Sequence, residues 1–154
     1  MRIAEWMTKQ LYVARPLDSI RHAREIMEKQ RVNQLPVVVN SKLVGIVTDR
    51  DLRDAYPSVF EQPAIGSRSR AKKPSANDPD HTHVEAVMTP HVLTLSPDDD
   101  LLAAAELMRR ERIGAVPVVA NDTLVGLVTR TNILDAFVRL AATERADATL
   151  ASAR

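Results

Sequence analysis

One short pattern in this chain carries residue types able to do chemistry, and it occurs twice. The first copy is Gly45-Ile46-Val47-Thr48-Asp49-Arg50-Asp51. The second is Gly126-Leu127-Val128-Thr129-Arg130-Thr131-Asn132. In each, a threonine follows an apolar, strand-like run and precedes a helix-like one. Its hydroxyl and its backbone N–H then face a helix N-terminus, an arrangement that suits a phosphate oxygen. Asp51 comes one helical turn later. An ionised carboxylate there has acceptors for two neighbouring hydroxyls, as a ribose diol presents them. Glycine near the end of a strand removes a side chain where another group must approach closely. Plainer readings stand beside these. Thr48 and Thr129 are also good helix N-caps, and Asp51 a good solvated first-turn acid. Gly45 and Gly126 also suit a hairpin or a bulge, and Met27 and Met108 suit core filling. The doubling of the motif at matched positions weighs toward the chemical reading.

The doubling extends well beyond the motif. Superposing Met7-Thr8 on Met88-Thr89 brings Pro16 onto Pro97, Met27 onto Met108, Pro36 onto Pro117 and Gly45 onto Gly126, always 81 residues apart. Residues 7–56 share 19 of 50 identities with residues 88–137, without a gap. Two copies of one unit of about 50 residues are therefore present. So short a unit buries little surface alone, which predicts that the copies pack on each other about a pseudo-twofold axis.

Each copy begins with a short extended segment, Leu11 to Ala14 in the first. Pro16 then suits the first position of a helix. Ile20, Ala23, Ile26 and Met27 give that helix one apolar face, as Leu101, Ala104, Ala105 and Met108 do in the second copy. There Ser96 reads as the cap, with Pro97 and the acidic Asp98 to Asp100 following. Leu35 to Val39 and Leu43 to Val47 read as a hairpin through Asn40-Ser41-Lys42, with its counterpart around Asn121-Asp122. A second helix follows, from about Asp49 and from about Arg130. The fold class is thus α/β: two βαββα repeats meeting through their sheets, at residues 1–56 and 84–140. Residues 57–83, rich in proline and serine, read as a flexible linker. Residues 141–154 read as a helical extension or tail.

Composition removes several functions. Without cysteine there is no disulfide framework, thiolate metal site or thiol nucleophile. A net charge of +1 gives no bulk attraction to nucleic acid or membrane. Aromatic residues, at 3%, are too few for a base-stacking platform. No apolar run approaches the roughly 20 residues of a membrane span, and the N-terminus lacks the apolar stretch of a secretion signal. The expected location is cytoplasmic. Phosphate-loop, nucleophile-elbow and His-Glu-x-x-His motifs are missing, so no catalytic residue is assigned and no enzyme is expected. His81 and His83, with Asp78 and Asp80, invite a metal reading. No third ligand stands at a convincing spacing, and a solvated linker is the expectation. The basic run Arg68, Arg70, Lys72 and Lys73 is read as solvated rather than as a nucleic-acid contact.

Met-Thr, then proline, then a helix with Ala and Met, then Leu-Pro-Val-Val and Leu-Val-Gly-Ile-Val-Thr-Asp-Arg-Asp-Leu together resemble the CBS domain. Both copies match, so the chain resembles a stand-alone bacterial tandem CBS pair, a Bateman module. The run Asp49 to Arg53 with Pro57-Ser58 is most similar to the pair of acetoin-utilisation-type proteins. The resemblance implies an adenosine nucleotide as regulatory ligand: AMP, ADP or ATP, with S-adenosylmethionine ranked below them. It also implies two clefts, each completed by the partner copy. One takes Thr48 and Asp51 with Ser96, Leu101, Gly114 and Ala115. The other takes Thr129 and Asn132 with Arg15, Ile20, Asn33 and Gln34. Asn132 departs from the family's aspartate, and an amide gives up charge-assisted bonds roughly twice as strong as neutral ones. Arg15 offers a direct phosphate contact in compensation. Ribose recognition is therefore expected at Asp51. Apolar helix faces around Leu52, Ile133 and Phe137 call for cover, and a homodimer is expected, as such modules commonly form. Two other functions stay open: an interaction module that has lost its ligand, which Asn132 favours, and a nucleic-acid binder working through the linker.

Overall fold

The computed structural model describes residues 1–56 and 78–152, with side chains described through Arg145. Most of the expected linker, including Arg68, Arg70, Lys72 and Lys73, lies outside the described residues, as do Pro57 and Ser58. In chain order the elements are α1 (Ile3–Trp6), α2 (Ile20–Gln30), β1 (Gln34–Val39), β2 (Lys42–Thr48) and α3 (Asp49–Ala55). After these come a 3-10 turn (Val84–Ala86), β3 (Thr89–Pro90), α4 (Leu101–Glu111), β4 (Ala115–Ala120), β5 (Thr123–Thr129) and α5 (Arg130–Ser152).

Both hairpins are two-residue turns. Asn40 and Ser41 sit at φ 49° and 66°, Asn121 and Asp122 at 49° and 61°. Positive φ at both central residues is the turn whose twist matches that of the strands, and Asn and Asp tolerate it well. Each hairpin carries a register shift at the same place, between Val37 and Val38 and between Val118 and Val119.

The two helices before the hairpins start later than proline placement predicts. Pro16 and Pro97 lie in turns instead. Asp18 Oδ2 accepts from the Arg15 N–H at 2.7 Å, and Asp99 Oδ2 from the Ser96 N–H at 2.7 Å. The caps are Ser19, which accepts from the His22 N–H, and Asp100, which accepts from the Leu102 N–H. Ser96 is therefore not the cap of α4. An acidic side chain two residues past the proline closes a turn first and defers the helix.

Contacts divide the chain into a central unit, Tyr12–Val92, and a bipartite unit, Met1–Leu11 with Leu93–Arg154. The lead-in of each sequence repeat thus belongs to the unit of the other. In the central unit, the Val84 and Glu85 N–H groups donate to the Asp18 and Pro16 carbonyls, and the Ile20 N–H donates to the Thr82 carbonyl. In the bipartite unit, Ile3 and Ala4 do the same with Asp99 and Pro97, and Leu101 with Met1. Thr89 and Pro90 pair with Ile46 and Gly45. Thr8 exchanges both backbone bonds with Leu127 at 2.9 and 3.0 Å.

This docking explains the two glycines. A Cβ on Gly45 would lie 2.5 Å from Met88 Sδ and 3.0 Å from the Thr89 carbonyl oxygen, and one on Gly126 would collide with Met7 Sδ. Glycine is required by the incoming Met-Thr segment rather than by the hairpin turn.

Each unit has its own core. Ala14, Ile20, Ala23, Leu35, Val37, Val47, Leu52 and Val84 fill one. Ile3, Leu101, Ala104, Val116, Val118, Val128 and Ala136 fill the other. Leu52, expected on an uncovered helix face, is 1% exposed and is core; Ile133 packs against the second core, and Phe137 stays 66% exposed. Residues 78–83, which composition assigns to the linker, are structured. Asp78 accepts from the Asp80 N–H and from His81 Nδ1, and Asp80 pairs with Arg21 on α2. The reason is local: Asp78 closes its own turn, and Arg21 anchors it to the helix.

Candidate functional site

In the central unit, Thr48 ends β2 and caps α3. Its Oγ1 accepts from the Asp51 N–H at 3.2 Å, while Asp51 Oδ2 accepts from the Thr48 N–H at 2.8 Å and from Thr48 Oγ1 at 2.7 Å. This reciprocal capping box satisfies two helix-terminal donors. The plainer reading of these residues is thus structurally real. Asp51 Oδ1 makes no hydrogen bond among the described residues. Asp51 is half-buried beside a helix N-terminus.

The bipartite unit repeats the arrangement with an amide. Asn132 Oδ1 accepts from the Thr129 N–H at 2.8 Å and from Thr129 Oγ1 at 3.0 Å. Its Nδ2 donates to Thr8 Oγ1 at 3.5 Å. At the atom where Asp51 offers an acceptor, Asn132 presents a donor. Thr8 was missed from sequence as a neighbour of this junction; its signal was the doubled Met-Thr.

The other expected residues divide between polar and packed positions. Gln34 pairs in register with Thr48, and the Asn33 carbonyl accepts from the Asp49 N–H at 2.8 Å. Ala115 pairs with Thr129, and the Gly114 carbonyl accepts from the Arg130 N–H at 3.2 Å. Within each unit, then, the dipeptide at the start of the hairpin adjoins that unit's own threonine. The resemblance groups it with the threonine of the other repeat. Arg15 is exposed, and its guanidinium has no partner among the described residues. Ser96 is half-buried beside its turn. Ile20 and Leu101 are 0% and 2% exposed, and their N–H groups hold the incoming lead-in segment. They position a helix start rather than offer a polar group.

Electrostatics are shaped mainly at the surface. Hydrogen bonds from the Asp80 N–H and from His81 hold the Asp78 carboxyl below its ordinary range. The Leu102 N–H and, more weakly, the chain's amino terminus do the same for Asp100. Asp80 raises Arg21, and Glu28 raises Arg24. Among the described residues, no three His, Cys, Asp or Glu side chains cluster to hold a metal ion. No helix among them is long and apolar enough to cross a membrane.

The doubled unit, with a glycine-gated strand leading into a capped Thr-x-x-Asp or Thr-x-x-Asn junction, is a family architecture. The sequence profile of the CBS domain matches residues 3–58 and 84–139. The chain belongs to the CBS domain family, as a tandem pair. It is similar to an AcuB protein of Vibrio cholerae, with TM-score 0.74, 27% identity, and coverage of 94% of this chain and 96% of that one. It is similar to CBSX2 of Arabidopsis thaliana, solved in complex with AMP, with TM-score 0.73, 28% identity, and coverage of 91% and 98%. It is also similar to the CBS pair of protein MJ0100, solved with 5′-methylthioadenosine and S-adenosylmethionine, with TM-score 0.70, 28% identity, and coverage of 89% and 95%. The chain spans less than half the length of several curated relatives. It covers 46% of a 33.4 kDa protein from Thermofilum pendens, at 27% identity. It covers 23% of a homoserine O-acetyltransferase from Methanococcoides burtonii, at 34% identity over 133 residues. The likeness to an enzyme is thus confined to under a quarter of that enzyme.

Proposed function

We propose that this chain is a non-catalytic regulatory module that binds an adenosine nucleotide in clefts between its repeats and signals by changing their relative arrangement. The observation that carries this is Asp51. One of its oxygens fixes the helix start, and the other, unpartnered among the described residues, is oriented by that first contact. A pre-positioned carboxylate loses little freedom on meeting a ribose diol. The complexes of CBSX2 with AMP and of the MJ0100 pair with adenosine compounds support the ligand class. The preferred order is AMP, ADP or ATP before S-adenosylmethionine. The proposed nucleotide contacts are Thr48, Asp51, Ser96, Leu101, Gly114 and Ala115 for one ligand, and Thr129, Asn132, Arg15, Ile20, Asn33 and Gln34 for the other. A ligand touching both repeats has a differential affinity for their arrangements, which is what a population shift requires.

The module works as a homodimer in the cytoplasm. Leu134 and Val138, 62% and 64% exposed, join Phe137 in an apolar strip on α5 that calls for a protein surface. Thermal unfolding with each adenosine compound tests the function. Ligand at one hundred times its Kd adds about 2.7 kcal/mol of stability. Absence of a shift at millimolar concentration supports the second reading, an interaction module that kept the fold and lost the ligand. Asn132, whose outward atom is a donor bonded to Thr8, favours that second reading for its own junction.

A further inference from the structure

The five methionines of the chain stand in three environments. Met27 and Met108 are core, 3% and 5% exposed, whereas Met1 is 47% exposed. Met7 and Met88 are half-buried, and each lies against the glycine of a strand. Met88 Sδ is 2.5 Å from where a Cβ on Gly45 would stand, and Met7 Sδ takes the matching place on Gly126. The sulfur thus fills the space that the absent side chain leaves. The backbone around each sulfur is clasped. The Met7 N–H donates to the Ile3 carbonyl at 2.8 Å, and the Met88 N–H to the Val84 carbonyl at 2.9 Å. The next residue pairs with the strand, Thr8 with Leu127 and Thr89 with Ile46. Each clasp lies within one unit and closes on the strand two residues before Thr129 or Thr48.

We propose that Met7 and Met88 are paired oxidation sites, at which hydrogen peroxide opens the Met-Thr clasp of each unit. A thioether is a soft nucleophile, and the chain has no cysteine to compete for the oxidant. A sulfur lone pair attacks one peroxide oxygen, forming the S–O bond as the O–O bond breaks. The departing hydroxide takes the proton from the transferred oxygen and leaves as water. Sulfur is oxidised by two electrons to the sulfoxide, and the peroxide is reduced. The new oxygen is a strong acceptor in a tight, half-buried place. In the bipartite unit the N–H groups of Met7, Thr8 and Leu127 are already bonded to backbone carbonyls, so none of them can meet it. Keeping an unpaired polar oxygen against the glycine is unfavourable. The side chain therefore leaves the glycine, and the adjoining threonine leaves the strand with it. A methionine sulfoxide reductase reverses the step, removing the oxygen as water while two thiols become a disulfide. No nucleotide is needed for the effect.

Hydrogen peroxide added to the full chain tests this, with conversion at each methionine followed by peptide mass spectrometry and the backbone followed by hydrogen exchange. Met1 is expected to convert first, Met7 and Met88 next, and Met27 and Met108 last. Once Met7 and Met88 are converted and the core pair is not, exchange at the Leu127 amide and across β2 is expected to quicken roughly tenfold or more. The two epimer-specific reductases are expected to restore it. The double variant Met7→Leu, Met88→Leu conserves side-chain volume, and peroxide is expected to leave its exchange unchanged. Conversion of Met7 and Met88 only together with Met27 and Met108 overturns the proposal, because the sulfurs are then reached only by unfolding. Their conversion without faster exchange overturns it too, as does equally quickened exchange in the treated double variant. Failure of the reductases to restore protection refutes the reversible device. The wild-type time course decides the matter even where the double variant does not fold.

Discussion

Asp51 Oδ2 and Asn132 Oδ1 occupy equivalent positions, each accepting from the N–H and Oγ1 of the threonine three residues earlier. The cap therefore needs only an acceptor, whereas the proposed ribose contact needs the charge. This predicts a separation. Asp51→Asn keeps the capping box, as Asn132 shows, and leaves stability within about 0.5 kcal/mol. It weakens AMP binding about tenfold or more by removing a charge-assisted bond. Asp51→Ala weakens binding similarly and also costs about 1 kcal/mol of stability by uncapping α3. Urea denaturation and AMP titration of both variants measure the two effects, and wild-type affinity in Asp51→Asn refutes the ribose assignment. The glycines give a second contrast. A Cβ at Gly45 meets a backbone carbonyl as well as Met88, whereas the three atoms nearest to one at Gly126 all belong to the Met7 side chain. Gly45→Ala is expected to cost about 1–3 kcal/mol, as overpacking does. Gly126→Ala is expected to cost less and to be largely rescued by Met7→Ala, as thermal melts of the three variants would show.

Among the elements, the hairpins and the helices after them were legible. Asn-Ser and Asn-Asp between valine-rich runs specify a two-residue turn, and Thr-x-x-Asp specifies a capped helix start, because both are local chemistry. The helices before the hairpins were placed too early. Proline tolerates a turn as readily as a first helical position, and only the docked lead-in segments reveal where the helix N–H groups find their acceptors. Asp100 caps one of these helices, and its pKa is lowered by the Leu102 N–H and then by the amino terminus. Its folded value lies below its unfolded one, near 3.9. The stabilisation is therefore present above about pH 3.9 and is lost as pH falls through the lower folded value. Asp100→Asn is expected to flatten the acid limb of stability below about pH 4, measured by urea midpoints, with Asp54→Asn as a surface control.

At the level of the whole molecule, the repeats in sequence are not the units in space. Met1–Leu11 completes the unit of Leu93–Arg154, placing Ile3 in its core and Thr8 on Leu127. Deleting residues 1–10 is therefore expected to strip hydrogen-exchange protection from β4 and β5 while sparing β1 and β2, although the deleted residues open the first repeat. Loss confined to β1 and β2 would contradict this division. The duplication, the α/β class and the threonine junctions were fixed by sequence alone, because periodicity, turn chemistry and capping act over a few residues and repeat wherever those residues repeat. Tertiary structure decided the exchange of lead-in segments, the use of Asp78 to His83 as part of a folded unit, and the reason for the two glycines. Those depend on which distant segment fills a space, and a contact between residues more than 40 positions apart, such as Met88 on Gly45 or Met7 on Gly126, leaves no local pattern to read.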